Sequence, residues 1–265
     1  MNYEAKTNEI RQMIIDMLYR CKSGHPGGSL SEVEILTALY YNVMKIDPKN
    51  PQDDARDRFV LSKGHGCPAL YAILADLGYF PKSDLDDLRQ VHSHLQGHPD
   101  MKKTPGVDCN TGSLGEGIAV AMGMALAAKH MEKSYRVFTL VGDGECQEGL
   151  VWEAAMAAAH YKLDNFVVIL DYNGLQIDGC NEEVMDLGDI VGKFEKFGFD
   201  CASVDGHDIQ AITEELEKKT PGKPRFICCK TVKGKGVSFM ENNFNWHGAV
   251  MSEEDYNNAM KELRA

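Results

Sequence analysis

The eight cysteines (21, 67, 109, 146, 180, 201, 228 and 229) include no CxxC pair and no zinc-like spacing, and are too sparse for a disulfide scaffold. They read as free thiols of a reducing compartment. No uninterrupted apolar run approaches the roughly 20 residues of a membrane helix, and the opening MNYEAKTNEIRQ has mixed charge without the apolar stretch of a secretion signal. A cytoplasmic protein without a membrane partner is expected. There is no basic excess either. With 28 Lys and Arg against 40 Asp and Glu, the net charge is −12, so long-range repulsion argues against nucleic acid and anionic membranes. An anionic small ligand is still allowed, because a metal ion and oriented amides invert the sign of a single pocket.

What is present is an ordinary globular composition, 43% hydrophobic and 26% charged over 265 residues. The most informative stretch runs from Arg136 to Gly179. Val137 to Val141 reads as a strand that stops at Gly142-Asp143-Gly144, where two glycines let the backbone turn around one carboxylate. Trp152, Ala155, Met156 and Ala159 share a face at helical spacing, and Phe166 to Leu170 reads as a second strand leading into Asp171-Tyr172-Asn173. Asp143 and Asn173 are therefore expected just past the carboxyl ends of two strands of a right-handed βαβ unit, facing the crevice where such sheets bind ligands. Gly-Asp-Gly alone is also an ordinary turn. Followed by Asn at the next strand end, it reads as a set of hard oxygen ligands, too few to cage a divalent ion without a phosphate or water.

Upstream, Ile10, Met13, Ile14, Met17 and Leu18 mark an amphipathic helix ending at Ser23-Gly24-His25-Pro26-Gly27-Gly28. A second helix is expected from Ser31, with Glu34 completing a capping box. Phe59 to Leu61 reads as a short strand before Ser62-Lys63-Gly64-His65-Gly66, and a helix follows through Leu77. His92-Ser93-His94-Leu95-Gln96-Gly97-His98-Pro99 is a polar loop whose three histidines could alternatively hold zinc. Thr111-Gly112-Ser113-Leu114-Gly115-Glu116-Gly117 opens a small-residue helix with free N–H groups at its start. Downstream, Phe199 to Val204 and Phe226 to Val232 read as buried strands around a helix from Ile209. Lys233-Gly234-Lys235-Gly236 reads as a flexible basic loop, and a capped helix runs from Ser252 to Leu263. Asp205-Gly206-His207-Asp208 reads as a turn and cap without chemistry. The fold class is α/β, a parallel sheet with helices on both faces. One domain over 1–265 is expected, with helical loops in 1–130, the βαβ core in 136–232 and an extension in 233–265.

GDGECQEGLVWEA with LDYNGLQIDG, together with SGHPGG, SKGHG and QGHPD in that order, resembles the thiamine diphosphate-binding part of transketolases. The resemblance covers nearly the whole chain. It implies thiamine diphosphate as cofactor, and Asp143, Asn173 and the Leu175 carbonyl as ligands of Mg²⁺ or Ca²⁺. It further implies the Gly144 amide and His65 on the diphosphate, and Gly112 and Leu114 beside the pyrimidine. His25 and His98 would face the donor sugar, and His247, in a segment similar to the family's SxxHGA, the diphosphate and leaving carbonyl. Glu148 and Glu153 match family carboxylates at a subunit contact near the cofactor, although a solvated helix face is the plainer reading of the residues themselves. Self-association about Glu148 is implied with them. Ser113 and Glu116 depart from the family's TGPLGQG loop.

The family's activating glutamate and aromatic stacking residue come from a second domain, and nothing here resembles it. Only Arg56, Arg58, Arg89, Arg136 and Arg225 follow the first helix as internal arginines. The resemblance thus implies the N-terminal subunit of a split transketolase, partnered by a separate chain with the pyrimidine-binding and C-terminal domains. It would move a two-carbon ketol unit from a ketose phosphate to an aldose phosphate, as in the pentose phosphate pathway. The alternatives are a subunit of another thiamine-dependent enzyme, or a non-catalytic module that binds thiamine diphosphate.

Overall fold

The structure, a computed structural model, describes residues 1–264. The chain opens with α1 (Tyr3–Cys21), whose apolar stripe is buried, followed by α2 (Pro26–Ser31) and α3 (Val33–Ala38). Pro26 does not stop a helix but starts one, because the first helical position needs no N–H. The capping box expected at Ser31 is absent. The Ser31 hydroxyl instead donates to the buried Asp171 carboxylate at 2.6 Å, and Glu34 pairs with Arg11 at 2.7 Å. Next come β1 (Arg58–Leu61), α4 (Cys67–Leu77), α5 (Glu116–His130), β2 (Val137–Gly142), α6 (Gly149–His160) and β3 (Phe166–Tyr172). A small antiparallel pair follows, β4 (Leu175–Gln176) and β5 (Gly179–Cys180), and then α7 (Asn181–Val184) and α8 (Ile190–Phe197). The chain finishes with β6 (Asp200–Asp205), α9 (Ile209–Glu217), β7 (Arg225–Lys230) and α10 (Glu253–Leu263). The last carries the expected capping box between Ser252 and Asp255.

Five strands form one parallel sheet in the order β1-β2-β3-β7-β6. Alternation along the strands divides the core into two layers. Phe138, Leu140, Val167, Ile169, Ile227 and Cys229 join the helical core that includes α1, α3, α4, α9 and α10. Val137, Val141, Phe166, Val168, Leu170, Phe226 and Cys228 pack with α5, α6 and α8 on the other face. Phe194 of α8 stacks on Phe226 with ring centroids 3.9 Å apart. The expected parallel sheet with helices on both faces is the observed fold. β6 differs from expectation: it is an edge strand with partly exposed side chains, since only β7 pairs with it.

Candidate active site

Four parallel strands, β1, β2, β3 and β7, end at the same edge of the sheet, and the loops leaving them, with the segments before α2 and α5, build a cleft of about 380 Å³. It is walled by His25, His65, His98, His247, Gly112, Leu114, Asp143, Gly144, Glu148, Asn173 and Leu175, together with Lys63, Glu145 and Lys233. Strand register explains the pairing of the second and third loops. Gly142 lies opposite Asp171, so the residues just beyond each strand share one rim.

Asp143 is buried, 3% exposed, at that rim. Its two oxygens accept the Gly144 amide at 2.8 Å and the Gly174 amide at 2.6 Å. Burial, and then the neighbouring Asp171 charge, push its pKa up. The Asn173 side-chain oxygen accepts the Leu175 amide at 3.2 Å, and the Leu175 carbonyl points to the Lys233 ammonium at 3.1 Å. A carboxylate, an amide oxygen and a peptide carbonyl at one rim are the donors a hard divalent cation prefers. Among the described residues no three His, Cys, Asp or Glu side chains converge as a metal cage, so any cation here depends on such mixed donors. The zinc alternative falls with the same observation. His94 turns to Asp84 at 3.0 Å and His92 is exposed, whereas His98 joins the cleft.

The histidines cluster closely. The His25 ring centroid lies 5.2 Å from His65, 5.4 Å from His247 and 6.4 Å from His98, and His65 lies 5.2 Å from His247. His25 caps the N-terminus of α2, His65 follows β1, and His98 sits at the exposed rim. Loss of solvent, partial at His98 and fuller at the others, is the largest cause of a lowered pKa at all four. It lowers His25 to about 4 and His247 to about 3, with nearby cations adding to the effect, and it also lowers His65 and His98. Neutral imidazoles keep both a donor and an acceptor for sugar hydroxyls. Gly112, at φ +145°, permits the close packing, since a Cβ there would stand 3.1 Å from the His98 ring.

Sequence reasoning missed the charged floor of the cleft. Lys63 is 2% exposed and lies 2.6 Å from both Asp171 and Glu32, each fully buried. Burial works against its ammonium, but the attraction of these two acids outweighs that and raises its pKa. Lys233, expected on a flexible loop, is buried, and its ammonium reaches His247 Nδ1 at 3.1 Å. Burial lowers its pKa to about 8. The loop comes this close because Gly27 of α2 has no side chain; a Cβ there would meet the Trp246 carbonyl at 2.9 Å and Lys233 Cγ at 3.0 Å. Glu145 accepts the Gly115 amide at 2.9 Å and the Gly142 amide at 3.0 Å, tying the loop before α5 to the end of β2. Of the two glutamates singled out from the sequence, Glu148 reaches the cleft, while Glu153 of α6 is exposed and is not among its walls. Ser113 and Glu116 are exposed and likewise outside it, so their departures from the expected loop leave its walls unchanged.

The family description "Transketolase, thiamine diphosphate binding domain" matches residues 3–264. The chain is 44% identical over 265 residues to the 6-deoxy-6-sulfo-D-fructose transketolase subunit SqwG of Clostridium sp. (strain MSTE9), covering 99% of this chain and 96% of that protein. It is 42% identical over 262 residues to one of the subunits of the apulose-4-phosphate transketolase of Phocaeicola vulgatus, covering 98% of this chain and 93% of that one. The solved transketolase from Leishmania mexicana superposes with a TM-score of 0.95 at 34% identity, over 100% of this chain but only 41% of that one.

Proposed function

Because this chain belongs to the family of the transketolase thiamine diphosphate-binding domain, we propose that it is the diphosphate-binding subunit of a transketolase whose pyrimidine-binding half is a separate chain. The observation that carries this is the rim itself: Asp143, buried and accepting the Gly144 and Gly174 amides, stands beside Asn173 and Leu175 in the cleft that four histidines face. In this reading Asp143, Asn173 and the Leu175 carbonyl hold Mg²⁺ or Ca²⁺. Gly144, His65, Lys233 and His247 receive the diphosphate, and Gly112 and Leu114 touch the pyrimidine side. When bound, thiamine diphosphate supplies the nucleophilic carbon and the electron sink for cleaving and making the carbon–carbon bond. The protein supplies position and proton handling. His25, His98 and His247 bind the donor hydroxyls and, being neutral, offer one ring nitrogen to take up a hydroxyl proton, becoming imidazolium, while the other donates a hydrogen bond.

The relatives are named for 6-deoxy-6-sulfo-D-fructose and apulose-4-phosphate. By analogy the donor here is a ketose with a terminal anion, whose two-carbon ketol unit passes to an aldose phosphate, leaving a shortened aldose and a lengthened ketose. Two features support a partner chain. This chain spans about two-fifths of the longer transketolases but nearly all of the relatives named as subunits. Ile177, which lines the cleft, and Met185, whose carbonyl accepts from the cleft residue Gln147, are exposed apolar side chains, and a protein surface would cover them. Glu148, exposed at the cleft, and Glu153 are assigned to contact with a second copy of this chain in the assembled enzyme.

The test is reconstitution. The purified chain is assayed for ketol transfer with thiamine diphosphate and Mg²⁺, alone and with the product of the neighbouring reading frame. Turnover only in the mixture supports the proposal. Full turnover by this chain alone, or stoichiometric cofactor binding with no ketol transfer alongside any partner, overturns it.

A further inference from the structure

Arg89 lies outside the cleft's walls and has no part in the reading above, yet it touches the loops that carry two of the site's histidines. Its Nη1 donates to Ser23 Oγ at 3.1 Å, two residues before His25, and its Nη2 donates to the Gly97 carbonyl at 3.2 Å, one residue before His98. Its own amide closes the intervening loop on the Leu95 carbonyl at 2.9 Å. That closure holds Arg89 at φ +63°, a left-handed conformation that residues other than glycine rarely adopt. A Cβ on Gly97 would stand 2.9 Å from Arg89 Cζ, so the guanidinium is packed directly against the loop backbone. Among the described residues Arg89 makes no ion pair, although the chain carries 40 acidic groups. Its partners are neutral oxygens, and its charge stays uncompensated.

That charge bears on both imidazoles. After burial, Arg89 is the next cause holding His25 down, ahead of His98, Lys233 and Lys63, and after burial it is also the next cause acting on His98. The other titratable groups facing these rings are His65 and His247, with Asp143, Glu145 and Glu148 in the same cleft.

We propose that Arg89 is a positioning residue: from outside the cleft it bridges the His25 and His98 loops, and it sets their spacing and the electrostatic field in which they meet a substrate. This rests on the reading of His25 and His98 as substrate-facing. The planar fork matters because a lysine keeps the charge but cannot hold both oxygens at once.

The experiment compares Arg89→Met, Arg89→Lys and Ser23→Ala with wild type in two ways. Imidazole proton NMR titration of the chain itself reads the field without needing activity, and kinetics of the reconstituted complex read the spacing. In R89M the His98 midpoint is expected to rise, while R89K and S23A leave it near wild type. In the complex, R89M and R89K are both expected to lower kcat by roughly 10- to 100-fold, the effect of displacing a reacting group by about an ångström. S23A gives a smaller loss and stands in if R89M does not fold. An unmoved His98 midpoint in folded R89M overturns the proposal. So does a kcat unchanged in both Arg89 variants, or a loss confined to KM for donors with a terminal anion, which would make Arg89 an anion-binding residue. If no ketol transfer is found even for wild type, the functional reading fails, and the NMR titration still decides whether Arg89 sets the field at His98.

Discussion

The Lys63 ammonium stands 2.6 Å from the Asp171 carboxylate, with both side chains buried beneath the cleft. Ser31 and Thr231 also donate to Asp171, so β1, α2, β3 and the segment after β7 are joined at one buried ion pair. Replacing Lys63 with Met would leave the ionised Asp171 carboxylate buried without its cation. Loss of one partner of such a pair costs about 3–5 kcal/mol. K63M is therefore expected to unfold at markedly lower urea concentration than wild type, measured by circular dichroism. An unchanged midpoint would show that the pair contributes little.

Glu32 shares the same lysine, and burial raises its pKa from 4.5 to about 8. A carboxyl with a folded pKa above its unfolded one binds more protons in the fold, so the contribution of Glu32 to stability is full below pH 4.5 and is lost as pH rises through about 8. Glu32→Gln removes that titration. Its stability relative to wild type is expected to improve between pH 5 and pH 8, in urea melts at the two values. A difference that does not vary with pH would show that Glu32 is ionised throughout.

Asp143→Asn keeps the shape of the rim but removes the carboxylate that accepts the amides of Gly144 and Gly174. A ligand at one hundred times its Kd stabilises a protein by about 2.7 kcal/mol. In the reconstituted complex that increment, read as the rise in melting temperature when thiamine diphosphate and Mg²⁺ are added together, is expected to vanish in D143N. Persistence of the full rise would remove Asp143 from the metal site.

Lys233→Met takes away the ammonium that reaches Leu175 and His247. A hydrogen bond to a charged group contributes about 1.5–3 kcal/mol, so calorimetry on the complex is expected to show diphosphate affinity weakened by roughly 10- to 100-fold. Equal affinity in wild type and variant would return Lys233 to a purely structural role.

Gly112→Ala places a side chain 3.1 Å from the His98 ring at φ +145°. Strain of this kind costs on the order of 1–3 kcal/mol. The variant is expected to stay folded yet lose most of its turnover in the complex, because the loop and the histidine cannot both keep their places. Wild-type kcat would show that the close approach is dispensable.

The sheet, the positions of Asp143 and Asn173, and the set of histidines were all legible in the linear chain. Those features are local. Apolar runs of strand length, glycines at turns and short motifs around each histidine are written in consecutive residues, and parallel pairing then aligns the strand ends. Which charges matter was settled only by folding. Lys233 opens a Lys-Gly-Lys-Gly run and reads as solvated, but Gly27, more than two hundred positions earlier in the chain, leaves the room that draws it inside. Ser31 forms no cap because Asp171, 140 residues away, takes its hydroxyl. Arg89 reads as one more arginine until the fold sets Ser23 and Gly97 on either side of it. Such contacts depend on desolvation and on partners brought together from distant segments, and neither is carried by any short window of sequence.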